Sequence, residues 1–186
     1  MRIVGGFLKG KKIDFLKSKT TRPLRDFVKE NIFNVINHSN LIQVKLENSN
    51  VLDVYSGTGS FGIECISRGA NRTTFIENNN TTLTILKNNL NNLKIEEKSD
   101  VYSEKTNLFF KRSGNENKFE IIFFDPPFAE NFFIDELKMI KNSQIYKKKN
   151  LIIIHREATS NDEIFKTINI LLTKSYGRSK VIFGTL

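Results

Sequence analysis

The sequence has one cysteine, two histidines and no apolar run long enough to cross a membrane. Each shortage removes a class of protein. A lone Cys65 can form neither an intramolecular disulfide nor a cysteine-based zinc cluster. As a thiolate nucleophile it would need an activating base beside it, and its helical position reads instead as a small buried core residue. His38 and His155 have no metal-ligand spacing and read as surface or packing residues, so no metal is expected. The longest apolar runs, IIFF at 121–124 and LIII at 151–154, are strand-sized. Lys9, Lys11 and Lys12 follow the first apolar residues too soon for a secretory leader. A cytoplasmic protein without membrane contact is the expectation. Long repeats and low-complexity tails are also missing.

What is present fits one globular domain. The 186 residues are 39% hydrophobic and 26% charged, enough to bury a sizeable core. The net charge is +9, and its distribution matters more than its size. Residues 1–30 hold nine basic side chains against three acidic ones. A basic segment on one side of a domain is the footprint of a polyanion partner such as nucleic acid.

The central stretch is VLDVYSGTGSFGIECISRG, residues 51–69. A short apolar run around Asp53 reads as a buried parallel strand. Ser56, Gly57 and Gly59 make a turn in which glycine lets a ligand approach the main chain. From Ser60 the spacing of Phe61, Ile63, Cys65 and Ile66 predicts a helix, with Gly69 as its stop. Strand, glycine turn and helix form the first unit of an open α/β sheet, whose ligand sits at the carboxyl ends of its strands. Gly57-x-Gly59-x-x-Gly62 with Glu77 also matches a dinucleotide fingerprint. A pyrophosphate, however, would be repelled by a carboxylate at Asp53, whereas S-adenosylmethionine offers an ammonium, a sulfonium and a ribose. Asp53 is therefore read as holding the methionine end or ordering the loop that does, and Glu77 as gripping the ribose hydroxyls. At this point methyl donor and nicotinamide both remain open.

Either side, the pattern fills out an alternating chain. Residues 1–20 read as a hairpin or arm of two strand-like pieces, MRIVGG and KKIDF, with little apolar surface. From Thr20 to Asn37 a helix is expected, with Pro23 in its first turn and Leu24, Val28, Ile32, Val35 and Ile36 on its apolar face. That places Arg22, Arg25, Asp26 and Lys29 on the opposite side or at its start. Strands are expected at 73–76, 94–100, 119–124 and 150–155, and helices at 80–93, 103–110 and about 132–142. The end reads as two strands joined by Tyr176-Gly177-Arg178-Ser179, adding an antiparallel edge to a parallel sheet.

A second motif separates the readings. Phe123-Phe124-Asp125-Pro126-Pro127-Phe128 ends a central strand, so Asp125 would project into the crevice that holds Asp53. The lone pair of an exocyclic base amine is delocalised, and acceptors aimed at its hydrogens make the nitrogen more tetrahedral. The Asp125 side chain and the Pro126 carbonyl can supply them, with Pro126 and Pro127 fixing the backbone. Phe128 offers a face on which an unpaired base can stack.

With both sites in view the chain resembles the bacterial methyltransferases that modify N2 of a guanine (guanine-966) in 16S ribosomal RNA. The resemblance spans RIVGGFLKGKKI, TRPLRDFVKENIFNVI, LDVYSGTGSFGIECISRGA, Glu77, the DPPF at 125–128 and the closing YGRSKVIF. It implies a class I, Rossmann-like methyltransferase fold: a mostly parallel sheet with helices on both faces, an antiparallel C-terminal strand, and a small N-terminal basic arm and helix. The implied division is an arm at 1–20 and a methyltransferase domain at 21–186. It further implies S-adenosylmethionine as cofactor, with Asp100 near the adenine. The partner would be 16S rRNA or an assembling 30S subunit, met by a monomer through phosphate contacts from Arg2, Lys9, Lys11, Lys12, Arg22 and Arg25. Two departures stand out: Leu24 and Arg25 replace a hydroxyl pair of the family pattern, and Lys29 replaces an arginine. DPPF is shared with adenine-N6 enzymes, which remain an alternative, as does a non-catalytic RNA-binding assembly factor with the same fold.

Overall fold

Alternation along the strands decides the layering. Val51, Ile121, Phe123, Leu151, Ile153, Val181 and Phe183 face one side. Leu52, Ile122, Phe124, Ile152, Ile154 and Ile182 face the other. Both sets are buried, so the sheet must be covered on both faces, as parallel sheets are. The computed structural model describes residues 1–16, 24–112, 118–127 and 132–186. Among the described residues there are seven strands: β1 (Asn50–Val54), β2 (Arg72–Ile76), β3 (Ser99–Tyr102), β4 (Phe119–Phe124), β5 (Tyr146–Glu157), β6 (Asn169–Tyr176) and β7 (Ser179–Thr185). Their order is β3-β2-β1-β4-β5-β7-β6, parallel except for β7, which is antiparallel to both neighbours. The expected antiparallel C-terminal hairpin is thus present, with β6 rather than β7 at the edge. The chain winds outward from β1 to β3, then returns to place β4 on the other side of β1. That reversal opens the crevice in which ligands of such sheets sit.

Helices α1 (Asp26–His38) and α2 (Ser60–Ser67) cover the first face through Val28, Ile32, Phe33, Ile36, Phe61 and Cys65. Phe61 stacks between Phe123 and Phe33, at centroid distances of 4.0 and 5.4 Å. Helix α3 (Asn80–Leu93) covers the β2 end of the sheet, its first turn capped by the Asn79 side chain accepting from the Thr82 N–H. Helices α4 (Thr106–Arg112) and α5 (Phe133–Ser143) cover the second face. Among the described residues no helix is long and apolar enough to cross a membrane.

Several expectations need correction. The third strand begins at Ser99, not Lys94, because Lys94 takes the left-handed conformation (φ 56°) that ends α3 and a 3-10 turn at Glu96–Lys98 intervenes. The fourth helix begins at Thr106, three residues late. Lys29, assigned to the polar side of α1, is fully buried. Its Nζ donates to the Arg2 carbonyl (2.8 Å) and the Ser60 hydroxyl (3.4 Å), and lies 3.6 Å from Glu64 Oε2. Burial lowers its pKa, while the Glu64 carboxylate, then Asp26, oppose the shift. The first helix begins at Asp26, not Thr20, because Arg25 is still extended (ψ 141°); Pro23 lies outside the described residues.

Those contacts dock the N-terminal segment. Its ladder is a single bridge, Arg2–Lys12, but Ile3, Leu8 and Ile13 are buried against Ile63, Ile66 and Leu90. The arm therefore carries more apolar surface than expected. Glu64 accepts the Val4 N–H and the Arg68 guanidinium, both at 2.8 Å. Ser67 accepts the Leu8 N–H at 3.0 Å and donates to the Gly5 carbonyl at 2.6 Å. Gly6 permits this approach: a Cβ there would fall 1.8 Å from the Ser67 carbonyl oxygen, at φ +74°. Gly10 also has positive φ (+86°), but a Cβ there would meet nothing within 4 Å.

The pair makes a controlled test. Gly10→Ala should cost about 1–2 kcal/mol of folding stability from left-handed strain alone. Gly6→Ala should cost more, because the segment must also lift from α2. Equal urea midpoints for the two variants would contradict this docking.

Candidate active site

Asp53 is the next-to-last residue of β1, on the face covered by α2. Its Oδ2 accepts the Gly62 N–H at 2.9 Å, and the side chain is 1% exposed. Gly62 lets the helix come this close, since a Cβ there would lie 2.3 Å from the Phe75 ring and 2.7 Å from Thr73 Cγ2. Burial pushes the Asp53 carboxyl well above the usual range; the Gly62 bond opposes the shift, and the charges of Asp125 and Glu77 add to it. The loop that follows is set by backbone bonds. The Ser56 N–H and hydroxyl both donate to the Ile76 carbonyl, at 3.0 and 3.2 Å, and the Gly59 N–H donates to the Ser56 carbonyl at 2.9 Å. Glu77, just past β2, accepts the Gly57 N–H at 2.9 Å and the Asn79 N–H at 2.7 Å. Gly57 has φ +56° and open space where a side chain would be, whereas a Cβ on Gly59 would fall 2.6 Å from Leu86. Gly57 therefore leaves room for a ligand, and Gly59 lets the loop pack.

Tyr55 also has positive φ (62°), which is costly for a bulky residue. Its hydroxyl donates to the Glu136 carboxylate on α5, which also accepts the Thr106 hydroxyl. Asn89 of α3 holds the loop from another side, donating to the carbonyls of Thr58 (3.0 Å) and Asp14 (2.9 Å).

Beside β1 lies β4, with Asp53 opposite Phe123 and Val54 opposite Phe124. Asp125 is the next residue, so the two acidic strand ends meet at one crevice. Its Oδ1 lies 2.8 Å from His155 Nδ1, two residues before the end of β5. Pro126 is buried and Pro127 exposed. The Pro127 carbonyl accepts from Arg156 Nη1 at 3.2 Å; Arg156 is 1% exposed, pairs with Asp162 at 2.9 Å and lies over the Phe133 ring.

Asp53, Ser56, Gly57, Gly59 and Glu77 are thus brought together, with Asp125, Pro126 and Pro127 on the neighbouring strand end. Phe128 and Arg22 lie outside the described residues. Asp100 is not brought to the crevice. It pairs with Thr74 two residues before the end of β3, and its carboxylate meets Arg72, the first residue of β2, at 2.6 Å. The strand shift noted above is the reason: Asp100 sits inside β3 rather than beyond it. Arg2 is bonded to Asp26 at 3.0 Å, while Lys9, Lys11, Lys12 and Arg25 are exposed. The Arg2 carbonyl meets Lys29 near the start of α2, and Leu8 binds Ser67 at its far end. The arm's backbone therefore runs along α2, and the Arg2 guanidinium turns to Asp26 of α1.

His155 and Arg156 were not singled out as site residues by sequence. The register could have found the first: Ile154 pairs with Phe124, so the next residues on each strand are neighbours. Cys65 is buried, and burial pushes its thiol well up, leaving it inert. Among the described residues no group of three His, Cys, Asp or Glu could hold a metal.

A crevice walled by Asp53, Glu77 and Asp125, with open space at Gly57, is unsuited to a pyrophosphate and fits a cationic cofactor. The strand order with its reversed β7 and this pair of acidic strand ends define a class I methyltransferase fold. Residues 1–185 match the family model described as Conserved hypothetical protein 95, and the chain belongs to that family. Ribosomal RNA small subunit methyltransferase D of Haemophilus influenzae is 33% identical over 158 residues, covering 84% of this chain and 79% of that protein. The solved Haemophilus influenzae protein HI0767 is 28% identical with TM-score 0.79, covering 100% of this chain and 98% of its own. The Escherichia coli protein yhhF superposes with TM-score 0.83 at 23% identity, covering 99% and 96%, a likeness of fold.

The buried Asp53 makes a stability prediction. Below about pH 4 the carboxyl is neutral whether folded or unfolded and contributes nothing. As pH rises above that, the unfolded chain ionises it freely while the folded chain resists, so stability falls. Asp53→Asn keeps an acceptor for Gly62 without the charge. In the ligand-free protein it should raise the thermal midpoint at pH 7, by a margin that shrinks toward pH 4. A lower midpoint at every pH would show that the Asp53 charge is not a burden on the fold.

Proposed function

We propose that this enzyme transfers a methyl group from S-adenosylmethionine to the exocyclic N2 amine of a guanine in 16S ribosomal RNA. The observation that carries the reading is the shared crevice: a buried acid and glycine loop on β1, beside an Asp-Pro-Pro loop on β4. When bound, S-adenosylmethionine supplies a methyl group activated by a positively charged sulfur, along with an ammonium and a ribose. Asp53 holds the first turn of α2 through Gly62 and adds negative potential where the cationic end lies. Glu77 fixes Gly57 and offers its carboxylate to the ribose hydroxyls. Asp125 accepts a hydrogen bond from the target amine and takes the proton that the nitrogen sheds on methylation. The Pro126 carbonyl accepts the second amine hydrogen, and Phe128 stacks on the base. Placing the nucleophile rather than activating it covalently is the source of rate.

Arg2, Lys9, Lys11, Lys12, Arg22 and Arg25 contact phosphates, with the arm at 1–20 extending the footprint of the domain at 21–186. The substrate is 16S rRNA or the assembling 30S particle, met by a cytoplasmic monomer. An adenine-N6 methyltransferase is the rival enzyme, because the Asp-Pro-Pro loop grips either amine. The H. influenzae relative's name, a ribosomal RNA small subunit methyltransferase, supports the ribosomal reading.

Nucleoside mass spectrometry of ribosomal RNA from cells with and without the gene decides between them. The account expects one N2-methylguanosine to vanish from small-subunit RNA; loss of N6-methyladenosine instead would favour the rival. In vitro, Asp125→Ala should lower turnover roughly a hundredfold with cofactor affinity nearly unchanged. Loss of cofactor binding would contradict the division of roles. RNA affinity should fall steeply with added salt as counterions are released; a flat response would remove the basic arm from the interface.

A further inference from the structure

Three adjacent strand ends carry polar side chains toward the same crevice: Asp53 on β1, Asp125 on β4 and His155 on β5. His155 has the parity of Ile153, which belongs to the apolar face under α1. Its ladder partner across β7 is Val181, and its side chain is only 10% exposed. At such a position an apolar residue packs without penalty, whereas an imidazole must recover the cost of its desolvation through a hydrogen bond. It does so at Asp125, where Nδ1 and Oδ1 are 2.8 Å apart. The ionised carboxylate can only accept, so Nδ1 carries the proton toward it.

We propose that His155 is a positioning residue for the target amine: by holding Asp125 Oδ1, it leaves Oδ2 as the oxygen offered to the substrate. The inference rests on the reading of Asp125 as the amine's acceptor. Unrestrained, the carboxylate of Asp125 would turn about its last bond and present either oxygen at a range of angles. The hydrogen bond from β5 selects one orientation. The next residue, Arg156, points to the other face and holds the Pro127 carbonyl, so consecutive residues of one strand fix the Asp-Pro-Pro loop from both sides. Because β5 pairs with β4 through Phe124–Ile154, this support comes from the rigid centre of the sheet rather than from a loop.

The test compares two amides. His155→Asn places an N–H close to where Nδ1 stands; His155→Gln moves it to the place of Nε2. Each variant is assayed for methyl transfer to small-subunit ribosomal RNA, with S-adenosylmethionine affinity measured by calorimetry. His155→Gln should lower kcat roughly ten- to a hundredfold, the range for partners that orient an active group, with cofactor affinity and the KM for RNA little changed. His155→Asn should recover most of that loss. Equal turnover of the two variants, or a loss carried by KM or cofactor affinity, overturns the proposal while leaving the function intact. Absence of methyl transfer by the unaltered protein overturns the role of Asp125 and this proposal with it. Nitrogen NMR adds a readout free of turnover: the Nδ1-protonated tautomer should dominate and disappear in Asp125→Ala, and an Nε2-protonated ring in the unaltered protein overturns the pairing.

Discussion

The parallel pairing of β1 with β4 is the constraint on which the rest depends. It sets Asp53 opposite Phe123 and brings Asp125 to the mouth of the same crevice. The two strands are far apart in sequence and adjacent only because the sheet reverses its winding between them. Negative charge is thereby concentrated at a point where the glycine loop leaves open space. The molecule bears the cost in the elevated pKa of Asp53, a carboxyl kept from water with other carboxylates nearby. Such a site is unfavourable when empty and is relieved by a cationic ligand, a common arrangement where binding matters more than resting stability.

The N-terminal segment is tied to this crevice rather than hung beside it. Lys29 links the Arg2 carbonyl to the hydroxyl of Ser60, the residue that opens α2. Asn89 links the Asp14 carbonyl to the Thr58 carbonyl within the glycine loop. The basic arm proposed to meet the polyanion therefore shares hydrogen-bonded residues with the loop that would hold the cofactor. The buried Lys29–Glu64 pair ties the arm to α2; removing Glu64 would leave the buried Lys29 without its carboxylate, a loss that typically costs about 3–5 kcal/mol, whereas without Lys29 Glu64 keeps Arg68.

Much of this was legible in the sequence, for identifiable reasons. The fourth strand and third helix were placed to the residue because each is a strong pattern between clear boundaries, IIFF in one case and leucines spaced from Asn80 in the other. The glycine loop and the Asp-Pro-Pro motif announce themselves by composition. The start of the third strand is not visible in the sequence because only four residues pair, and a left-handed Lys94 gives no signal that glycine would. The place of Asp100 is hidden with it. The burial of Lys29 is not legible because a lysine on a helix is normally solvated, and its buried partner, Glu64, lies 35 positions away in the chain. His155 and Arg156 escaped notice for a similar reason: their roles exist only once β5 is laid beside β4. Local patterns point to the glycine and Asp-Pro-Pro loops, but not to the side chains that brace them from other elements.

The central claim is that this crevice is built for a cation rather than for a pyrophosphate, although its glycine spacing fits both. Calorimetric titration of the purified protein with S-adenosylmethionine and, separately, with NAD tests it most directly. The account predicts saturable binding of the sulfonium compound and no measurable binding of the dinucleotide. Comparable affinity for NAD, or none for S-adenosylmethionine, would contradict it.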